Sequence, residues 1–180
     1  GGNLNIDAQD VQLIGSISSL STFTFPDSIG DAGDITIKTN NLLVKDGARV
    51  STSTSGKGKG GNLNVDAVDV QIIGDSSLNA FSLPNSTGDA GDITIKTDTL
   101  LIKDGADITT VKLGQGNAGN LTVDARDVQL IGESFDGQFS SSLSAEAALN
   151  STGDAGDLTI KTNDLLVKDG AQITAATLGQ

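Results

Sequence analysis

The residues best equipped for chemistry are aspartates in a recurring Gly-Asp-Ala-Gly-Asp motif: Asp31 and Asp34, Asp89 and Asp92, Asp154 and Asp157. Carboxylates and carbonyls in a glycine-rich turn are hard oxygen donors suited to calcium. The same motif also serves as a plain Asp/Gly turn, and no acid stands at a fixed bidentate position. A second set, Asp10, Asp69 and Asp127, could in principle support acid–base work on a polysaccharide. That set recurs at one repeated position, whereas a catalytic centre is normally a local break in a repeat. The two arginines, Arg49 and Arg126, fall at different repeat phases. We therefore expect no enzyme.

The chain of 180 residues has no His and no Cys, which removes Ser-His-Asp and Cys-His catalysis, thiolate chemistry and disulfides. Its formal charge of −12 disfavours binding to nucleic acid or to an anionic membrane surface. No stretch is apolar enough to span a membrane. Of the 23 acids only Glu133 and Glu146 are glutamate. Aspartate favours turns and is poor inside helices, so this acid usage points to all-β structure.

The elements that hold these residues are repeats. GNLNIDAQDVQLIG from Gly2 recurs as GNLNVDAVDVQIIG from Gly61 and GNLTVDARDVQLIG from Gly119. Each is followed by a second string, GDITIKTNNLLVKDGA from Gly33, GDITIKTDTLLIKDGA from Gly91 and GDLTIKTNDLLVKDGA from Gly156. The two strings align with each other. The chain is thus three tandem repeats (1–60, 61–118 and 119–180), each of two half-repeats about 28–37 residues long. The longest half-repeat carries an insertion between Gly132 and Gly153. Apolar and polar residues alternate with period two, as in Leu4, Ile6 and Ala8, and Asp-Gly pairs punctuate the runs. About three short strands per half-repeat predict a parallel β-helix of six coils, about 29 Å long at the usual interstrand spacing. A meander, a propeller or a hairpin within each half-repeat are the rival arrangements.

Stacking makes a specific forecast for one column, Asp7, Lys38, Asp66, Lys96, Asp124 and Lys161, whose charges alternate strictly. In register every Asp has a Lys on the next coil, worth about 0.2–1 kcal/mol per pair, and a slip of one coil would set Asp over Asp. The alternation could also be incidental to the duplication. A second outward column reads Gln12, Leu43, Gln71, Leu101, Gln129, Leu166. We expect a bulge that turns both Leu42 and Leu43 inward; the alternative is an apolar stripe of Leu43, Leu101 and Leu166 used for lateral association. All five phenylalanines lie in the variable segments. We expect them to plug the core at a wide corner; an exposed patch for glycan or a neighbouring filament is the alternative. Neither chain end shows a polar cap, which suggests a segment of a longer array or end-to-end self-association.

Runs such as GNLTVDARDVQLIG and STGDAGDLTIKTNDLLVKDGAQITAATLGQ resemble the repeats of filamentous-haemagglutinin-like exoproteins of the two-partner secretion type, especially cyanobacterial ones. The resemblance covers the whole chain. It implies a right-handed β-helical rod, export to the cell surface, and a role in adhesion, aggregation or matrix building. Partners on that reading are other copies of the chain and surface glycans. A calcium-binding surface-layer module is the runner-up, and a polysaccharide-active β-helix enzyme is third.

Overall fold

The computed structural model describes residues 1–178; Gly179 and Gln180, the end of the third repeat, lie outside the described residues. Fourteen strands, β1–β14, stack as a parallel β-solenoid of about six turns, and the described residues contain no helix. The first sheet runs β1(Leu4–Asp7)-β4(Ile35–Lys45)-β6(Leu63–Ile73)-β8(Ile93–Lys103)-β10(Leu121–Ile131)-β12(Leu158–Lys161). Two further strands, β2(Asp10–Ile14) and β13(Asp164–Lys168), complete its two outer coils by pairing with β4 and β10. The second sheet runs β3(Ser19–Phe23)-β5(Arg49–Thr54)-β7(Ser77–Ser82)-β9(Asp107–Lys112)-β11(Ser142–Ala147)-β14(Gln172–Thr177). All these pairings are parallel, so neither a meander nor an internal hairpin describes the repeat.

The three strands of each half-repeat are visible as separate strands in the first and last coils. In the four coils between, the first two fuse into one strand of 11 residues. A bend survives inside it, because the ladder skips from Thr39–Ala67 to Asn41–Asp69.

Period-two alternation fills the interior. Ile35, Leu63, Ile93 and Leu121 form one fully buried column, and Ile37, Val65, Ile95 and Val123 the next. The second sheet contributes Val50, Leu78, Ile108 and Leu143. Like stacked on like lets each side chain keep the rotamer of its neighbour, and burying each one contributes about 1.5–3 kcal/mol. The sheets are joined at one corner by Asp-Gly turns. Asp46 (φ 58°) and Gly47 (φ 82°) both adopt the left-handed conformation, as do Asp104 with Gly105 and Asp169 with Gly170. Two successive positive φ angles are the signature of a type I′ turn, which Asp-Gly favours.

Three expectations need correction. The phenylalanines do not plug the core: Phe23, Phe25, Phe135 and Phe139 are exposed and Phe81 is half-buried. Phe23 and Phe81 share an outward-facing column of the second sheet with Ser53 and Val111, and Phe25, Phe135 and Phe139 lie outside the strands, so none alternates into the core. No bulge turns Leu43 inward: Leu42 is buried while Leu43 alternates outward. The Asp/Lys column is in register, with Lys38 opposite Asp7 and Asp66, but its side chains do not close into ion pairs among the described residues. At a different position, the side chains of Lys45, Lys103 and Lys168 lie 3.6–3.7 Å from the aspartate next in sequence. Exposed side chains gain too little from a partner to be held rigidly.

Candidate functional site

The Gly-Asp-Ala-Gly-Asp motifs gather at the corner that leads into the first sheet, where they line a shallow acidic groove of about 670 Å³. Their carboxylates are engaged by the backbone. Asp34 Oδ1 accepts the N–H of Asn62 at 2.7 Å, and Asp92 Oδ1 accepts that of Asn120 at 2.7 Å. Asparagines do the same on the alternate coils: Asn3 accepts from Asp34 N at 3.0 Å, Asn62 from Asp92 N at 2.9 Å, and Asn120 from Asp157 N at 2.9 Å. Asn3, Asp34, Asn62, Asp92, Asn120 and Asp157 thus form an unbroken column in which each side chain caps the next coil. A shorter parallel column holds Asp31, which accepts from Lys59 N at 2.7 Å, and Asp89, which accepts from Asn117 N at 2.7 Å. Asn117 in turn accepts from Asp154 N at 3.2 Å.

This column explains the glycine before each Asn or Asp. A Cβ on Gly91 would sit on the carbonyl oxygen of Gly61, and one on Gly119 on that of Gly91. Backbone approaches backbone at this corner, and only hydrogen fits between. Neutral Asn alternating with Asp also keeps successive carboxylates two coils, about 9–10 Å, apart. Among the described residues no three acids converge as metal ligands would. The signal was present in the sequence as Gly-Asn and Gly-Asp at the head of every half-repeat.

Asp10, Asp69 and Asp127 stand two coils apart on the outer face of the first sheet, with Asn41 and Thr99 between them. Asn41 donates to Asp10 at 2.5 Å and Gln71 to Asp69 at 2.7 Å. The leucine stripe lies beside them, with Leu43 opposite Gln12 and Gln71, Leu101 opposite Gln71 and Gln129, and Leu166 opposite Gln129. Leu43 and Leu101 are half-buried, and Leu166 is exposed at the last coil.

Two unusual groups went unnoticed in the sequence. Lys112 points into the solenoid and is fully buried, donating to the carbonyls of Gly116 and Thr152. Its register partners Ser82 and, one coil further, Thr54 use hydroxyls for comparable turn carbonyls, those of Gly88 and Gly58. Burial lowers the pKa of the Lys112 ammonium, while Asp89 and Asp154 oppose that shift. Asp107 lies on the outer face of the second sheet, and burial raises its carboxyl to about 7 against the opposing pull of Arg49.

Asp107 belongs to a groove of about 520 Å³ that breaks the repeat. One wall is the insertion of the fifth coil. There Glu133 and Ser140 form an antiparallel bridge, Ser134 N donates to the Phe139 carbonyl at 2.7 Å, and Ser134 Oγ donates to Asp136 at 2.6 Å.

No family model, curated protein or solved structure matches the chain.

Proposed function

We propose that this chain is a structural and adhesive rod module of a secreted cell-surface or extracellular-fibre protein. The observation that carries the reading is the continuity of its ladders. Both sheets stay in parallel register from the first coil to the last, and the corner between them is capped by an uninterrupted Asn/Asp column. The repeated apolar residues serve stacking, Asp31, Asp34, Asp89 and Asp92 accept backbone N–H groups, and Asp10 and Asp69 accept from side-chain amides. Such a body is stiff along its axis, and its unbroken ladders suit it to resisting proteolysis.

On this reading self-association is lateral, through the Leu43, Leu101 and Leu166 face, or end to end through the outer strands. Surface glycans are the external partner, and no chemical turnover is involved. The test uses beads coated with the protein, scored for clumping and for retention under flow on immobilised polysaccharide. Clumping or retention above an unrelated acidic protein of similar charge supports the reading; behaviour equal to that control overturns it.

A further inference from the structure

Beside Asp107 the insertion of the fifth coil departs from the repeat and builds a concavity. Its floor is two outward columns of the second sheet. Register places Asp107, Ser142 and Gln172 in one column and Thr109, Ser144 and Thr174 in the other. Arg49 lies two coils further along the first column. The roof is tied down: Gln172 Nε2 donates to Ser140 Oγ at 3.3 Å, and Gly105 N donates to Ser141 Oγ at 3.1 Å. Phe139 stands on the wall and is 60% exposed. Asp107 is half-buried in the groove and has no hydrogen bond or ion pair through its carboxyl among the described residues. A carboxyl drawn partly out of water without a partner is costly to keep, and its neighbours do not satisfy it.

We propose that this groove binds an extended, uncharged polysaccharide, with Phe139 stacking on a sugar face and Asp107 hydrogen-bonding a sugar hydroxyl. The inference rests on the adhesive reading above and names the site and ligand class for it.

The chemistry selects among polymers. The floor presents the hydroxyls of Ser142 and Thr174 and the amide of Gln172, while Thr109 and Ser144 bond to each other, and its columns step at the coil spacing of about 4.8 Å, comparable to the length of one hexose in an extended chain. From Arg49 to Gln172 is four coil steps, about 19 Å, room for about four sugars. An extended peptide advances about 3.3 Å per residue and would lose that match. It would also need a sheet edge to pair with, whereas this is a sheet face whose backbone groups are consumed by the ladders. Asp75, Asp107 and Glu146 against the single Arg49 disfavour nucleic acid and sulfated or uronate chains.

The test is calorimetric titration of the whole chain with hexamers of neutral glucan, mannan and β-1,3-glucan, and with a hexauronate. It uses wild type, Phe139→Ala, Asp107→Asn, and Lys96→Ala on the other sheet, each confirmed folded by its β-sheet circular dichroism. We expect at least one neutral hexamer to bind. Phe139→Ala and Asp107→Asn should each weaken it by about tenfold, and Lys96→Ala should not. Absence of binding by all neutral hexamers, equal or tighter binding of the uronate, or wild-type affinity in both groove variants would overturn the proposal. Bead clumping measured in parallel separates the two ideas: clumping without oligosaccharide binding removes the groove proposal and leaves the adhesive reading standing.

Discussion

Replacing Asp107 by asparagine should change how stability depends on pH. Burial holds the folded carboxyl near 7, against a reference value of 3.8. The folded chain therefore keeps a proton that the unfolded chain has already released between those values. The stability linked to that proton is fully present below about pH 4 and is lost as pH rises through 7. A difference of about three pKa units corresponds to about 4 kcal/mol at full effect, and residual hydration of the groove would bring it toward about 2 kcal/mol. Asparagine cannot ionise, so Asp107→Asn escapes this loss. Urea unfolding of both proteins at pH 4, 5, 6, 7 and 8 isolates the effect, because the other charged groups of the groove, Arg49, Asp75 and Glu146, are the same in both. The variant's advantage over wild type should grow by about 2–4 kcal/mol between pH 4 and pH 8, most steeply around 5–6 and levelling off above about 7. A difference that stays flat across that range would refute the reasoning.

Other substitutions probe the corner and the core. Gly91→Ala should cost at least about 3 kcal/mol in thermal or urea unfolding, because its methyl group would collide with the Gly61 carbonyl and force two coils apart. Asp92→Ala removes the acceptor for Asn120 N and should cost about 1 kcal/mol, whereas Asp92→Asn should stay within about 0.5 kcal/mol. Millimolar calcium should leave the melting temperature of wild type and Asp92→Asn equally unmoved, since a single acceptor oxygen satisfies the corner. Thr52 has a buried hydroxyl with no partner, so Thr52→Val should raise stability by up to about 1 kcal/mol in urea.

Much of this architecture was legible from repetition. When the same residue type recurs at a fixed phase, stacking puts like on like, and both the Asp-Gly turns and the apolar columns can be read without coordinates. The register of Lys38 with Asp7 and Asp66 follows from the same logic. Its failure to form ion pairs does not, because register is a backbone property and an exposed pair gains too little to hold two long side chains in place. The corner acids were visible, but their job was not. Deciding between a metal ligand and a backbone cap requires knowing that Asn62 N lies within reach of Asp34 Oδ1. The groove was hardest to foresee. Phe139 and the Ser134–Ser140 loop have no counterpart in the other coils, so periodicity says nothing of where they fold. Lys112 is a similar case: only its place beneath Ser82 and Thr54 shows that its ammonium replaces a hydroxyl.

In-register stacking is most directly tested by spin-label distances, since the chain has no cysteine to interfere. Asn5 and Thr159 lie in one outward column, five coil steps apart, and Thr36 and Thr159 lie four apart. With cysteine labels at Asn5 and Thr159, the backbone separation should be about 24 Å, falling to about 19 Å for Thr36 and Thr159. A decrement of one interstrand spacing is the predicted result. Equal distances for the two pairs, or broad distributions centred elsewhere, would contradict the stacked rod.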